Sequence, residues 1–428
     1  MRHAASGRLP ALVLGVGLLV GACGAPVEDT TASGAGDSGP ALPEPRLDTS
    51  TSAPLPPPGG GEAPVLAQPE AAWKAPFDDV PYPAGDNLVG IRFPADDESE
   101  LGIVGVAPSG ETRWTVWTNP SCVGYGVTEV GDRPGAVVLA SDADNRDGEI
   151  ATKTSANVYD TADGSRLWGP TSVPGPLQGP GLIFGRVANS VVGGESGKRV
   201  MLAADTGKPV EPPVDGAVAL YEHHGAGLFG HDGKLTALDT GSGDTLWRSS
   251  ELELPSGWSG TDRVELLEGT QGSDEGVVAL RWSGDGGERT SLHDLRTGEL
   301  LAALGDETEF RSVVDPDSGT LVVSGLDGYR VTRAFDLRTA ESRWTDDGAD
   351  GLLDVTLAES GVGYGTRSGT PVAVDLRTGL TIDRGEGSAP VAASDAGVLI
   401  TPAPRSENAE PTDRTAGATP GYLAHHRR

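Results

Sequence analysis

The sequence predicts an all-β protein, a β-propeller of seven four-stranded blades with eight as the alternative count, carried between a disordered N-terminal stalk and a disordered C-terminal tail. Three observations lead there. A turn motif built on Asp, Thr and Gly recurs about every 45 residues, within the 40–50 residues of a propeller blade. Each copy has a short apolar run on either side and most have one or two more upstream, which makes four strands per repeat. The composition agrees. The 63 Gly among 428 residues suit a chain of many turns, and 2 Met, 6 Phe and 7 Tyr leave little for the apolar stripes of a helical bundle.

At the amino terminus, residues 1–22 have the pattern of an export signal. Arg2 and Arg8 form its positive region, Leu9 to Val20 its apolar run, and Gly21 and Ala22 the small residues before a cut. The apolar run is too short to span a bilayer permanently. Leu19-Val20-Gly21-Ala22-Cys23 resembles the lipobox of bacterial lipoproteins. In that family the cysteine thiol receives the lipid and becomes the first residue of the mature chain. The resemblance therefore implies lipidation at Cys23 and a membrane anchor on the extracytoplasmic face. Residues 23–75 read as a disordered linker rich in Pro, Gly and Ser, including Pro56-Pro57-Pro58 and Gly59-Gly60-Gly61. Residues 405–428 have similar composition and read as a disordered tail, which leaves 76–404 for the propeller.

The repeat is clearest at Ala237-Leu238-Asp239-Thr240-Gly241, closing at Trp247, and at Ala334-Phe335-Asp336-Leu337-Arg338-Thr339, closing at Trp344. Asp160, Asp294 and Asp375 open equivalent turns that close at Trp168, Ala302 and Asp383. Two degenerate copies close at Trp114 and Glu211. Asp and Thr side chains can bond the turn backbone, and Gly supplies its left-handed position. The pattern Ala-x-Asp-x-x-Thr-Gly-x-x-x-Trp resembles the repeat of PQQ-like (quinoprotein-type) β-propellers across residues 76–404. That resemblance implies that Trp114, Trp168, Trp247 and Trp344 pack between neighbouring blades, with the Ala and Gly positions allowing close approach. Near the end, Pro390 to Ala393 and Gly397 to Ile400 look like strands without a turn motif of their own. The first copy lacks a full upstream set. The two chain ends are therefore expected to complete one shared blade and so remove exposed sheet edges.

Charge narrows the function. With 62 acidic and 32 basic residues the net charge is −30, which argues against nucleic acid, where phosphate contacts need Lys and Arg. It favours a soluble monomer. Cys122 is the second of only two cysteines and reads as a small buried hydrophobe. Asp142 to Glu149 has the acidity of a calcium loop, but Arg146 breaks the alternation of oxygen ligands. His223-His224 reads as a strand end and turn rather than a metal site. Gly194 to Lys198 lacks the spacing of a phosphate loop. The quinoprotein dehydrogenases that share the repeat typically carry an adjacent-cysteine pair, and none exists here. No catalytic residue, cofactor or metal is expected. The reading is a non-enzymatic, lipid-anchored extracytoplasmic binding or scaffold module that meets an unidentified protein or ligand. A quinoprotein-type oxidoreductase and a small-ligand sensor using the central funnel are the alternatives.

Overall fold

In the computed structural model, the Asp-centred motif forms the turn between the third and fourth strands of its sheet. The backbone N–H of Asp375 bonds Leu380 O at 2.9 Å, and Gly379 N–H returns to Asp375 O at 2.8 Å. Asp375 Oδ1 accepts from Thr378 N at 2.8 Å and Thr378 Oγ1 at 2.8 Å. Gly379 closes the turn at φ 73°. The same closure recurs at Asp239 with Gly243 and at Asp294 with Gly298, so one local rule builds these hairpins.

The structure describes residues 41–57, 64–68, 70–93, 100–119, 124–143, 151–178, 181–185, 199–255, 257–258, 261–267, 271–272, 276–284 and 286–403, with 421–428. The hairpins combine into seven sheets of four or five strands, the seven four-stranded blades expected. Blade 1 runs through Tyr82–Ala84, Asn87–Arg92, Leu101–Val106 and Thr112–Thr118; blade 2 through Tyr125–Val130, Arg133–Ser141, Thr154–Asp160 and Arg166–Val173. Blade 3 starts at Val218–His223 and ends at Thr245–Arg248, blade 4 spans Thr261–Leu266 to Leu300–Gly305, blade 5 Arg311–Asp315 to Ser342–Asp346, and blade 6 Leu353–Glu359 to Thr381–Arg384. The closing blade joins Ala392–Ala393, Val398–Pro402 and Tyr422–His426 to Trp73–Ala75 from the other end of the chain. Between blades 2 and 3 lies a reduced sheet, Ile183–Phe184 paired with Val200–Met201. Single bridges from Leu177 to Phe184 and from Leu202 to Pro209 flank it, so it holds a further place in the ring.

First strands of neighbouring sheets touch at blades 1 and 2, at blades 5 and 6 and on both sides of the closing blade, and these strands therefore converge on the ring axis. The core lies between the sheets. Leu228 and Trp247 of blade 3 pack with Val278 and Trp282 of blade 4, and Val322 of blade 5 packs with Leu353 and Val372 of blade 6. Because both faces of each sheet are covered, Leu101–Val106 is buried along its whole length. This is why apolar runs, rather than strict alternation, mark the middle strands. The ring closes where Trp73, Val398, Ile400 and Tyr422 meet Leu88 and Val104 of blade 1, and where Leu399 meets Tyr364 of blade 6.

Two boundaries differ from the sequence reading. The segment 405–428 is not wholly a disordered tail, since Tyr422–His426 is the third strand of the closing blade. Nor is 23–75 wholly linker. Trp73–Ala75 completes the closing blade, and Arg46–Asp48 adds a fifth strand outside Thr112–Thr118 of blade 1. Main-chain pairing explains both. Ser52 and Thr112 exchange N–H···O bonds of 3.0 and 3.1 Å, and Lys74 N bonds Leu55 O at 2.9 Å. Such bonds need an edge to pair with rather than a side-chain pattern, so Pro-rich or short segments can be recruited without advertising themselves. Residues 1–40 and 404–420 lie outside the described residues, as do Cys23, Cys122, Asp144 to Glu149 and Gly194 to Lys198.

Deleting residues 421–428 should leave Val398–Pro402 and Trp73–Ala75 without the strand between them. The truncated chain is expected to melt well below the full chain, and to expose hydrophobic surface to a dye such as ANS. An unchanged melting temperature by calorimetry would show that the ring closes without this strand.

Candidate functional site at the blade seams and ring axis

Trp168 stands on the last strand of blade 2 and reaches into the next sheet. Its Nε1–H donates to Ala204 O at 2.6 Å. The indole lies on Gly207, where a Cβ would sit 2.4 Å from the ring. The arrangement repeats around the ring. Trp114 donates to Thr161 O at 3.0 Å, Trp247 to Leu295 O at 2.7 Å and Trp344 to Leu376 O at 2.8 Å. Gly164, Gly298 and Gly379 lie beneath these indoles, all at positive φ. Opposite each indole on its own sheet stands a small or β-branched residue: Gly105, Val158, Ala237 and Ala334 face Trp114, Trp168, Trp247 and Trp344. The five repeat aspartates sit in the turns. Asp160 Oδ1 accepts from Ala162 N at 2.9 Å, Asp239 Oδ1 from Ser242 N at 2.9 Å, and Asp294 Oδ1 from Thr297 N at 2.7 Å. Asp336 accepts from Arg343 at 2.6 Å, and that bond is the main reason its carboxyl falls to about 2.

Trp73 makes the same contact and was not singled out in the sequence. It donates to Pro108 O at 3.3 Å and lies on Gly110. Its signal was available, because it precedes Trp114 by 41 residues, one repeat. Three seams lack the indole. Where Ala302 closes blade 4, the glycine of the next turn is replaced by Ala340, and Phe310 and Phe335 fill the seam. Where Glu211 follows the reduced sheet, nothing lies within 4 Å of a Cβ on Gly243. Where Asp383 closes blade 6, its Oδ2 accepts from Leu66 N at 2.8 Å, and Val65 and Ala67 pack there instead.

At the axis, the first strands of blades 1, 2 and 3 and the approach to the reduced sheet enclose a cavity of about 90 Å³ lined by Tyr82, Tyr125, Leu177, Glu222, His223 and His224. Tyr82 and Tyr125 meet edge to face at 5.2 Å. Burial pushes the Tyr125 hydroxyl well above its usual range, and that hydroxyl donates to Val80 O at 3.3 Å. Glu222 is buried. Its Oε2 accepts from Leu182 N at 2.7 Å and its Oε1 from Gly225 N at 2.9 Å, so one carboxylate ties the reduced sheet to the first turn of blade 3. Desolvation raises its pKa to about 7, against the pull of those two N–H donors. His223 ends its strand and His224 turns away at φ 42°, the strand end and turn read from the sequence. Their rings stack at 3.9 Å. Burial, then the charges of His224 and Arg296, depresses His223 to about 3, so its ring is neutral across the ordinary range. Among the described residues no group of three or more His, Cys, Asp or Glu is placed to hold a metal ion.

No protein-family model matches the chain, and a search of curated proteins finds no match. Among solved structures the chain is similar to BamB from Moraxella catarrhalis. The two are 16% identical, the match covers 82% of this chain and 95% of that chain, and the TM-score is 0.39. The propeller is accordingly assigned from the chain's own sheets.

Trp168→Ala is expected to cost about 3–5 kcal/mol in chemical denaturation, as other large-to-small core changes do. Gly207→Ala should be costly as well, because the new methyl displaces the indole. Gly243→Ala meets no indole and should cost only about 1–2 kcal/mol, the penalty of its left-handed backbone. Equal losses at the two glycines would mean that the indole seam does not matter there.

Glu222 makes a pH prediction. Its folded-state pKa is raised, so its stabilisation is complete below the unfolded value near 4.5 and is lost as pH rises to about 7. The loss is on the order of 3 kcal/mol at about 1.4 kcal/mol per unit. The stability of the natural chain relative to Glu222→Gln should therefore decline across that window in denaturant titrations at a series of pH values. A flat difference would contradict it.

Proposed function

We propose that this chain is a non-enzymatic binding or scaffold module with a PQQ-like propeller. In this reading it is anchored to the extracytoplasmic face of a membrane through lipidated Cys23, and it meets its partner with one end of the ring. One observation carries the choice of end. In antiparallel four-stranded sheets, the connections between second and third strands all leave from the same end of the ring. In blades 1 and 2, the reduced sheet and the closing blade these connections are long, from Arg92 to Leu101, Ser141 to Thr154, Phe184 to Val200 and Pro402 to Tyr422. In blades 3, 4 and 6 the corresponding turns hold two residues. At the opposite end, the Asp-centred turns are spent on the seams. Long connections on a rigid scaffold are where recognition residues are placed.

The buried groups Glu222 and His293 support a non-catalytic reading, since their polar atoms are engaged within the fold. Both oxygens of Glu222 accept N–H groups. His293, also buried, places Nδ1 3.0 Å from Gly298 O and Nε2 2.9 Å from Ser291 Oγ. The proposed anchor is compatible with the path of the chain. Ser155 Oγ donates to Pro43 O at 2.5 Å and Arg166 pairs with Glu44 at 2.7 Å, both on blade 2. From Cys23 to Pro43 the chain can span at most about 70 Å, which would hold the ring close to the lipid surface.

Two measurements test this reading. Cys23→Ala should release the protein from membranes or leave it unprocessed, and a mature chain that begins at any other residue in mass spectrometry would remove the anchor. A photo-crosslinking residue at Phe93, which is exposed where the blade 1 connection begins, should capture a discrete membrane or envelope partner in cells. The same residue at Asp86, in the tight turn at the other end of blade 1, should not. Capture from Asp86 alone, or from neither, would overturn the assignment of the recognition end.

A further inference from the structure

At the end that carries the long connections, the seam between blades 3 and 4 opens into a groove of about 520 Å³, within the size range of small-molecule sites. The turn of blade 3 at Asp232 and Gly233 forms one wall and is fastened to blade 4 by Val264 N donating to Gly233 O at 2.7 Å. Three cationic side chains, Arg199, Lys234 and Arg263, line the groove in a protein of net charge −30. Its two carboxylates are already engaged. Asp232 lies 3.2 Å from His231 Nε2. Glu265 is shared by Arg263 and by Arg281, which bonds its Oε2 at 3.0 Å. With three Lys and Arg side chains against two carboxylates in the lining, the cations remain in excess.

Two of those cations are under-used. Lys234 is exposed and has no ion pair among the described residues. Among the described residues Arg199 reaches only Ala219 O, at 3.5 Å, and its buried Nε has no hydrogen-bond partner. A buried donor left unpaired is costly, and a ligand oxygen would satisfy it. The remaining wall is apolar, with Val218 45% exposed beside Leu220 and Leu266.

We propose that this groove binds a small organic anion, with a carboxylate or phosphate head held by Arg199 and Lys234 and a short apolar body laid along Val218, Leu220 and Leu266. The site rests on its own residues and stands whether or not the loop-bearing end meets a protein partner. Charge-assisted bonds from a guanidinium and an ammonium favour either head group.

The test is calorimetric titration of the full chain with butanoate, butyl phosphate and the neutral control 1-butanol. At least one anion should bind with 1:1 stoichiometry, with 1-butanol failing to bind, and affinity should fall as salt is raised. The anion that binds more tightly identifies the head group. Lys234→Gln, a change at an exposed side chain, should weaken binding at least tenfold, and Arg199→Gln at least as much with the melting temperature retained. Absence of binding by both anions, equal binding of 1-butanol, or an unchanged affinity in Lys234→Gln would each overturn the proposal.

Discussion

An indole laid on the left-handed glycine of the neighbouring sheet, with its N–H bonded to a carbonyl of the same turn, is the contact on which the ring depends. It joins three requirements in one place. The glycine must adopt positive φ to close its turn and must lack a Cβ so that the ring can approach, while a residue two or three positions before it presents the carbonyl to the indole. Trp114, Trp168, Trp247, Trp344 and Trp73 all meet those conditions. The exceptions follow the same logic. Where the indole is lost at Ala302, the neighbouring glycine is also lost, to Ala340, since nothing then requires the space.

Closure is the second constraint. A ring of sheets leaves no open seam only if its first and last elements share a sheet. Here Trp73–Ala75 pairs with Tyr422–His426, nearly 350 residues away in sequence. The N-terminal segment does more than close the ring. It reaches blade 2 through the side-chain ion pair of Glu44, and it pairs by main-chain bonds with the outer edges of blade 1 through Arg46–Asp48 and of the closing blade through Leu55. Edges so covered are not offered to other chains. Val65 and Ala67 then occupy the seam where Asp383 replaces the tryptophan.

The two ends of the ring are consequently unlike. One is consumed by Asp-centred turns whose carboxylates cap their own backbone and whose glycines receive indoles. The other carries the long connections and the groove between blades 3 and 4. On the axis, Glu222 and His223 oppose each other in pH response. The raised carboxyl weakens the fold as pH rises through the range 4.5 to 7, while the depressed imidazole weakens it as pH falls below about 6.5. Between about 4.5 and 6.5 the two trends oppose and partly cancel, although both groups are displaced by the same cause, burial.

By itself the sequence determined the fold class and the repeat, because turn chemistry is local. Asp, Thr and Gly act within five residues of one another, and a period near 45 residues leaves one architecture able to use them. It also marked the four closing tryptophans, whose spacing matches the turns that receive them. Tertiary structure alone decided the rest. The edge pairing of Arg46–Asp48 and the closing strand Tyr422–His426 depend on main-chain bonds to distant strands, which leave no periodic trace in a Pro-rich or five-residue segment. Glu222 is one carboxylate among 62 acidic residues until folding brings the distant N–H of Leu182 against it beside that of its own turn at Gly225. Arg199, Lys234 and Arg263 likewise have no spacing that joins them, because their proximity is set by the packing of one blade against the next.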